Sequence, residues 1–155
     1  MLSLAIDTTA VKEFMNRLLR EDGFDFFAVR NVELTLATFI SVSGKLENEN
    51  GDENKSIRYT TWGDIRSLVY DLIKRGTKPK LIKIIFSHPA PVEVHTNAAA
   101  LFVNLTYEGD RVSFTTATAQ REFALDKTLD AAWDDWMRKC FVKLNVNVTD
   151  NLEAN

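Results

Sequence analysis

Two histidines and a glutamate in one short segment are the residues best suited to acid–base or metal chemistry. His88, Glu93 and His95 lie in a stretch that Pro89 and Pro91 keep from forming a regular strand. Imidazole and carboxylate groups can bind a metal ion or act as general bases, so the segment could serve a small enzyme or a metal-binding protein. The histidine spacing matches neither helical nor zinc-finger ligand patterns, and no cysteine lies nearby. It therefore favours two loop histidines without a metal.

Five cations within ten residues form the strongest local charge feature. They are Lys74, Arg75, Lys78, Lys80 and Lys83. At a helix end and the turn that follows, they could bind a small anionic ligand or an acidic protein. They could instead form a solvated helix terminus and protect a strand edge. No aromatic side chain is interleaved with them before Phe86, which makes nucleic acid an unlikely partner.

Arg58, Tyr59 and Trp62 form a third candidate group, for aromatic contact. Trp62 lies in the first turn of a predicted helix, where it could close over the helix entry or form a partly exposed surface with its two neighbours. Cys140 falls on the apolar stripe of another predicted helix, where a thiol is usually inert. The sequence contains no GxSxG, HExxH, GxGxxG or P-loop motif. We therefore predict no catalytic residue, no metal site and no cofactor.

The composition is that of a globular protein. The chain has 155 residues, 45% of them apolar and 26% charged, so it can bury a core without covalent cross-links. Its formal net charge of −3 disfavours a general nucleic-acid binder. A single cysteine suits a reducing compartment, and neither a signal peptide nor a membrane span is evident. We predict one cytoplasmic domain over 1–155, with a mobile acidic loop at 47–56 and a frayed tail at 145–155.

Hydrophobic periodicity predicts three helices and a sheet. Helical spacing covers 9–20, 61–75 and 127–144, and strand-like alternation covers 32–46, 101–107 and 111–116. The apolar run at 81–86 predicts a central strand covered on both faces, and further short strands are expected at 26–30 and 121–125. Segment 32–46 is long for a strand, so we expect it to be bent, bulged or broken near Thr38. Hairpin turns and polar strand faces predict an α+β fold with two layers. In it, about three helices pack on a curved, mostly antiparallel sheet of about five strands.

Three stretches resemble the DUF5721 family of small uncharacterised bacterial proteins, which occurs in Firmicutes. They are TAVKEFMNRLL at 9–19, LIKRGTKPKLIKIIF at 72–86 and LFVNLTYEGDRVSFTTATAQREFALDKTLDAAW at 101–133. The third is the most specific, with LFxNxxY, TTxT and LDKxL before a tryptophan-bearing helix. The family has no assigned activity, so the resemblance implies a cytoplasmic single domain and supplies no catalytic residue.

These features favour a non-enzymatic binding or protein-interaction module over a small enzyme. Its contact surfaces would be an exposed sheet edge and the basic turn, which is our name for the five cations Lys74, Arg75, Lys78, Lys80 and Lys83. The partner is unknown: a protein or a small anionic ligand would fit, a membrane would not, and a homodimer is conceivable.

Overall fold

The computed structural model of the protein describes residues 1–47, 57–76 and 78–151. Its α-helices are α1 (Val11–Arg20), α2 (Trp62–Lys74) and α3 (Thr128–Lys143). Its strands are β1 (Ser3–Ile6), β2 (Ala28–Thr35), β3 (Phe39–Ser43), β4 (Leu81–Ser87), β5 (Ala98–Glu108), β6 (Arg111–Gln120) and β7 (Val148–Asp150). Two short 3₁₀ helices span Thr8–Ala10 and Pro91–Glu93. No helix in these ranges has the length and apolar character needed to cross a bilayer.

The seven strands form one antiparallel sheet. Their order is β3-β2-β4-β5-β6-β1-β7, and all six neighbouring pairs are antiparallel. The long hairpin of β5 and β6 lies near the centre and turns at Gly109 and Asp110. Gly109 has a φ of 63°, which glycine adopts without steric cost, and this explains its place at the tip.

The three helices cover the same face of the sheet. Phe14 of α1 and Phe141 of α3 both contact Phe114 of β6, with ring centroids 5.6 and 4.8 Å away. Trp62 of α2 contacts Phe86 of β4 at 5.5 Å. Through the strand register, Phe114 and Phe86 lie on one face, and their side chains belong to a single buried cluster.

The opposite face of the sheet has no helix packed on it in the ranges described above; we call it the open face. Strand alternation puts Leu34, Ile84 and Leu105 into the core and sends Lys83 and Asn104 to the open face. The α+β class and the three helices of the sequence prediction are therefore confirmed, with helices on one side and a largely polar surface on the other.

The predicted number of about five strands is wrong, because two short strands escape the periodicity. β1 has four residues and β7 has three, too few to show a clear alternation, and both are placed by their pairing with each other and with β6. Segment 32–46 is broken rather than continuous. Its first part belongs to β2, which also absorbs the expected strand at 26–30, and the Leu36 amide donates to the Thr38 carbonyl in the turn before β3.

The chain was predicted to fray from residue 145. In the structure it instead turns back to the sheet at this residue. Asn145 adopts a φ of 56°, and the amides of Asn145 and Val146 donate to the carbonyls of Val142 and Phe141 at the end of α3. This is the Schellman arrangement, which satisfies the last helical carbonyls and leads the chain into β7. Residues 152–155 of the predicted tail, and 48–56 of the predicted acidic loop, lie outside the described residues.

Gly44 permits a close crossing between the residues that follow β3 and strand β2. Its amide donates to the Arg30 carbonyl at 3.1 Å, and its carbonyl accepts from the Thr60 amide at 2.8 Å. A Cβ on Gly44 would lie 1.7 Å from the carbonyl oxygen of Val29, so no other residue fits without moving backbone.

Gly44→Ala is expected to lower the free energy of unfolding by about 2–4 kcal/mol, because the methyl group must displace a strand. Gly76→Ala is the matched control, since a Cβ there meets no described atom within 4 Å. Urea denaturation of both variants, followed by tryptophan fluorescence, gives the comparison. Equal stability of the two variants would contradict the close crossing.

Candidate functional site

His88 is buried after β4 in a group of aromatic rings. Its ring centroid lies 4.9 Å from Trp136, 5.2 Å from Phe26 and 6.0 Å from Trp133. Nδ1 accepts a hydrogen bond from the Ala90 amide at 3.0 Å, so the neutral ring carries its hydrogen on Nε2. Burial lowers the pKa of His88, although the nearby Glu93 charge opposes the shift. His88 is therefore placed to terminate a strand as a neutral ring.

His95 lies in a chain of hydrogen bonds at the start of α3. Its Nδ1 accepts from the Asn97 amide at 3.0 Å, and its Nε2 lies 3.3 Å from Thr128 Oγ1. The Thr128 hydroxyl donates to Asp126 Oδ1 at 2.7 Å, so Nε2 must donate to Thr128. In a catalytic triad the histidine instead accepts the hydroxyl proton. The Thr128 hydroxyl and then its amide lower the pKa of Asp126, and together these bonds cap the entry to α3.

His88, Glu93 and His95 do not meet at one site. Each histidine uses Nδ1 to hold a backbone amide, and the two rings have different neighbours. Within the described ranges, no group of three or more His, Cys, Asp or Glu side chains is arranged to hold a metal ion. Burial raises the pKa of Cys140 to about 11, so its thiol stays protonated at neutral pH. The geometry gives no support to the enzyme or metal-binding alternative.

The basic turn is partly neutralised by neighbouring carboxylates. Lys74 pairs with Asp71 at 3.2 Å, and Lys78 pairs with Asp110 at 2.9 Å. The hydrogen bond to Asp110 is the largest cause of a raised pKa at Lys78.

The remaining three cations do not share one surface. Lys83 projects from the open face, whereas Arg75 lies at the end of α2 in the helical layer. Within residues 1–47, 57–76 and 78–151, neither Arg75 nor Lys80 makes an ion pair. Anion or partner binding at this turn stays a prediction, carried by fewer free charges than the sequence suggested.

The predicted contact surface of Arg58, Tyr59 and Trp62 does not include Trp62, because Trp62 is buried. Its side chain is 0% exposed, and its indole N–H donates to the Leu18 carbonyl at 3.0 Å. Trp62 thus closes the entry of α2 against α1, because that end of the helix packs into the core. Arg58 is exposed and Tyr59 is half-buried, so these two do reach the surface.

Residues 121–127 join β6 to α3, and two side-chain amides hold them in place. Asn97 accepts the Glu122 amide on Oδ1 and donates to the Glu122 carbonyl from Nδ2, both at 2.9 Å. Gln120 holds Ala124 through the same pair of bonds, each 3.1 Å long. We call this segment the amide-clamped loop. The clamps serve alternate backbone groups as a neighbouring strand would, and so satisfy them outside the sheet.

The amide-clamped loop presents two large apolar side chains to water. Phe123 is 85% exposed and Leu125 is 86% exposed. They alternate in sequence with the clamped residues Glu122 and Ala124, and the chain bends at both ends of the loop. Phe26 and Val92, which are 51% and 48% exposed, lie in other loops at this end of the sheet.

The sequence prediction of a strand at 121–125 is wrong, because β6 ends at Gln120. Its alternation is real, but the pairing partner is a set of side-chain amides. Residues 97 and 122 are 25 positions apart, and nothing in the local sequence identifies Asn97 as the clamp.

The family assignment follows from the sequence comparison. Residues 17–149 match the model of a family of unknown function, DUF5721, and the chain belongs to that family. The match spans α1 to β7 and includes the amide-clamped loop. Comparison with curated proteins and with solved structures gives no match.

The free energy of unfolding is expected to decrease as the pH falls from about 7 to about 5. The unfolded chain protonates His88 near pH 6.5, whereas the buried ring, with its lowered pKa, resists protonation. Acid therefore favours the unfolded state through this residue. His88→Gln should reduce the pH dependence, measured by urea denaturation at pH 7.0 and 5.5. The same decrease in both proteins would contradict a role for His88.

Proposed function

We propose that the protein is a non-enzymatic interaction module of the bacterial cytoplasm, and that the amide-clamped loop docks into an apolar pocket of a protein partner. The observation that carries this proposal is that four hydrogen bonds hold the backbone of Glu122 and Ala124, next to the exposed side chains of Phe123 and Leu125. The single, partly buried Cys140 is consistent with a reducing compartment.

The hydrogen bonds matter because they lower the cost of binding. A flexible loop loses conformational entropy when it docks, and a loop that is already ordered loses less. Phe123 is then available as an aromatic anchor that can enter a pocket, and Leu125 adds apolar area beside it. Water gives neither side chain a favourable environment, so burial in a partner would be driven by the hydrophobic effect.

The charges around the loop favour a protein partner over a lipid surface. Arg121 and Lys127 are matched by Glu122 and Asp126, so the segment has no net positive charge. Binding to anionic membranes depends on an excess of Lys and Arg, which is absent here. A rim of both charge signs around an apolar centre is instead the usual make-up of protein interfaces.

A photo-crosslinking residue placed at position 123 should yield a discrete covalent product with one protein in the source cells. The matched control is the same residue at position 142, because Val142 is 80% exposed on α3, away from the loop. A product specific to position 123 and identified by mass spectrometry supports the proposal, and a dimer of this chain would identify the partner as a second copy. Identical products from both positions, or none from 123, would contradict it.

Asn97→Ala tests whether the clamp matters for binding. It removes two of the four bonds but leaves Phe123 and Leu125 unchanged, so it should weaken binding to the crosslinked partner by about tenfold. Phe123→Ser should weaken binding further, and Val142→Ser should have no effect. Isothermal titration calorimetry gives the affinities, and unchanged affinity for Asn97→Ala would show that the clamp is irrelevant to docking.

A further inference from the structure

Arg30 occupies a bulge in β2 at the edge of the open face. The pairing of β2 with β4 shifts between Val29 and Asn31, which leaves Arg30 without a directly opposed residue. Its guanidinium carbon lies 4.0 Å from the ring centroid of Tyr59 and 5.1 Å from that of Phe102. Nε donates to Ser87 Oγ at 3.2 Å. Two aromatic contacts and one hydrogen bond therefore fix the plane of the guanidinium.

The two terminal nitrogens of Arg30, Nη1 and Nη2, take no part in the hydrogen bond to Ser87. Neither Nη1 nor Nη2 has a hydrogen-bond or ion-pair partner among residues 1–47, 57–76 and 78–151. Arg66, for comparison, makes a two-bond pair with Asp25 at 2.8 and 2.9 Å, through Nε and Nη2. Because Nε of Arg30 is taken by Ser87, the donors left at Arg30 are the Nη1 and Nη2 pair, which can also bind a carboxylate through two bonds.

A groove on the open face begins at the Ile85–Asn104 pair. This is the next pair along that face from Ser87 and Phe102, which Arg30 contacts. Asn104 lies two residues beyond Phe102 on β5, and Ile85 lies two residues before Ser87 on β4, so all four share that face. The groove has a volume of about 270 Å³, and the side chains that line it from the open face are Asn31, Glu33, Lys83, Ile85, Asn104 and Thr106. It can hold a few atoms of a ligand whose charged end lies at Arg30.

We propose that Arg30 binds the carboxylate of a small ligand or of a peptide C-terminus, and that the adjoining part of that ligand lies in the groove. One guanidinium with two free nitrogens matches the single charge and planar oxygen pair of a carboxylate. Lys83 also lines the groove, but its partner in the strand pairing is Glu33, so the groove adds no net positive charge for a phosphate dianion. Within the described residues, Asn31 and Asn104 each make one side-chain bond, to Ser41 and to Thr115, so each has amide atoms left for a ligand.

This site is separate from the amide-clamped loop. Loss of protein docking through Phe123 would leave carboxylate binding at Arg30 intact, and the reverse also holds. The site also differs from the basic turn, where sequence analysis placed an anion.

The test is an NMR titration of the full chain that follows the Arg30 Nε–H signal and the amides of Ser87 and Phe102. The probes are N-acetyl-alanyl-alanine, its C-terminal amide and butyrate, each at constant ionic strength, with inorganic phosphate for comparison. We expect saturable shifts with the carboxylates and none with the amide. Tighter binding of the peptide acid than of butyrate would identify a peptide C-terminus as the natural ligand, and equal binding would identify a small acid.

Arg30→Gln should abolish the saturable shifts, and Arg30→Lys should weaken binding by about tenfold, because lysine keeps the charge but loses the fork. Tyr59→Phe should retain binding, since the ring contact is kept, whereas Tyr59→Ala should weaken it. Lys80→Gln is the charge-matched control and should bind like the unmodified chain. The proposal is overturned by shifts that persist in Arg30→Gln, are lost in Lys80→Gln, are equally large with the amide, or are stronger with phosphate.

Discussion

One-sided burial of the sheet is the constraint on which the other features depend. Phe14, Trp62 and Phe141 bring all three helices to one face, where Phe86 and Phe114 receive them. Hydrophobic burial on that face provides the main stabilisation, as in other two-layer folds. The other face must then be stable in water, so its side chains are polar or supported by local contacts. The fold thereby provides a rigid platform whose outer surface and loops are free for interaction.

The two proposed contact features share a physical principle. In each, a group suited to a partner is held in place by bonds that do not themselves use it. Asn97 and Gln120 hold the backbone beside Phe123 and Leu125, and Ser87, Tyr59 and Phe102 hold the guanidinium of Arg30. Such support reduces the entropy lost when a ligand arrives. By contrast, Nδ1 of each histidine accepts a hydrogen bond from a backbone amide, which is typical of structural rather than catalytic residues.

Local periodicity was enough to predict the helical layer and the core of the sheet. The stripe of α1 and the alternation in β5 and β6 each extend over enough residues to identify an element and its buried face. The apolar run of β4 predicted a strand covered on both faces, which is wrong, because Lys83 and Ile85 are exposed on the open face. β1 and β7 were missed because they are short, and they are placed by the pairing of β1 with β6 and of β7 with β1. The strand expected at 121–125 shows the opposite error, since a real alternation there serves a loop.

The candidate sites were harder to predict because they depend on contacts distant in sequence. Arg30 and Tyr59 are separated by the residues between β2 and α2, and Asn97 reaches Glu122 across the hairpin of β5 and β6. Residue type alone drew attention to His88 and His95, whose roles are set by the amides two positions later. Charge density drew attention to the basic turn, where Asp71 lies one helical turn before Lys74, but Asp110, the partner of Lys78, is 32 residues away in sequence.

The central claim is that the amide-clamped loop is as rigid as the sheet while its apolar side chains remain in water. Backbone ¹⁵N relaxation of residues 121–126 tests it most directly, with β5 and β6 as the internal reference. If the clamps hold the loop, residues 121–126 have order parameters of about 0.85, equal to those of the strands. Values below about 0.6 across the loop would contradict it, because Phe123 and Leu125 would then sit on a disordered segment.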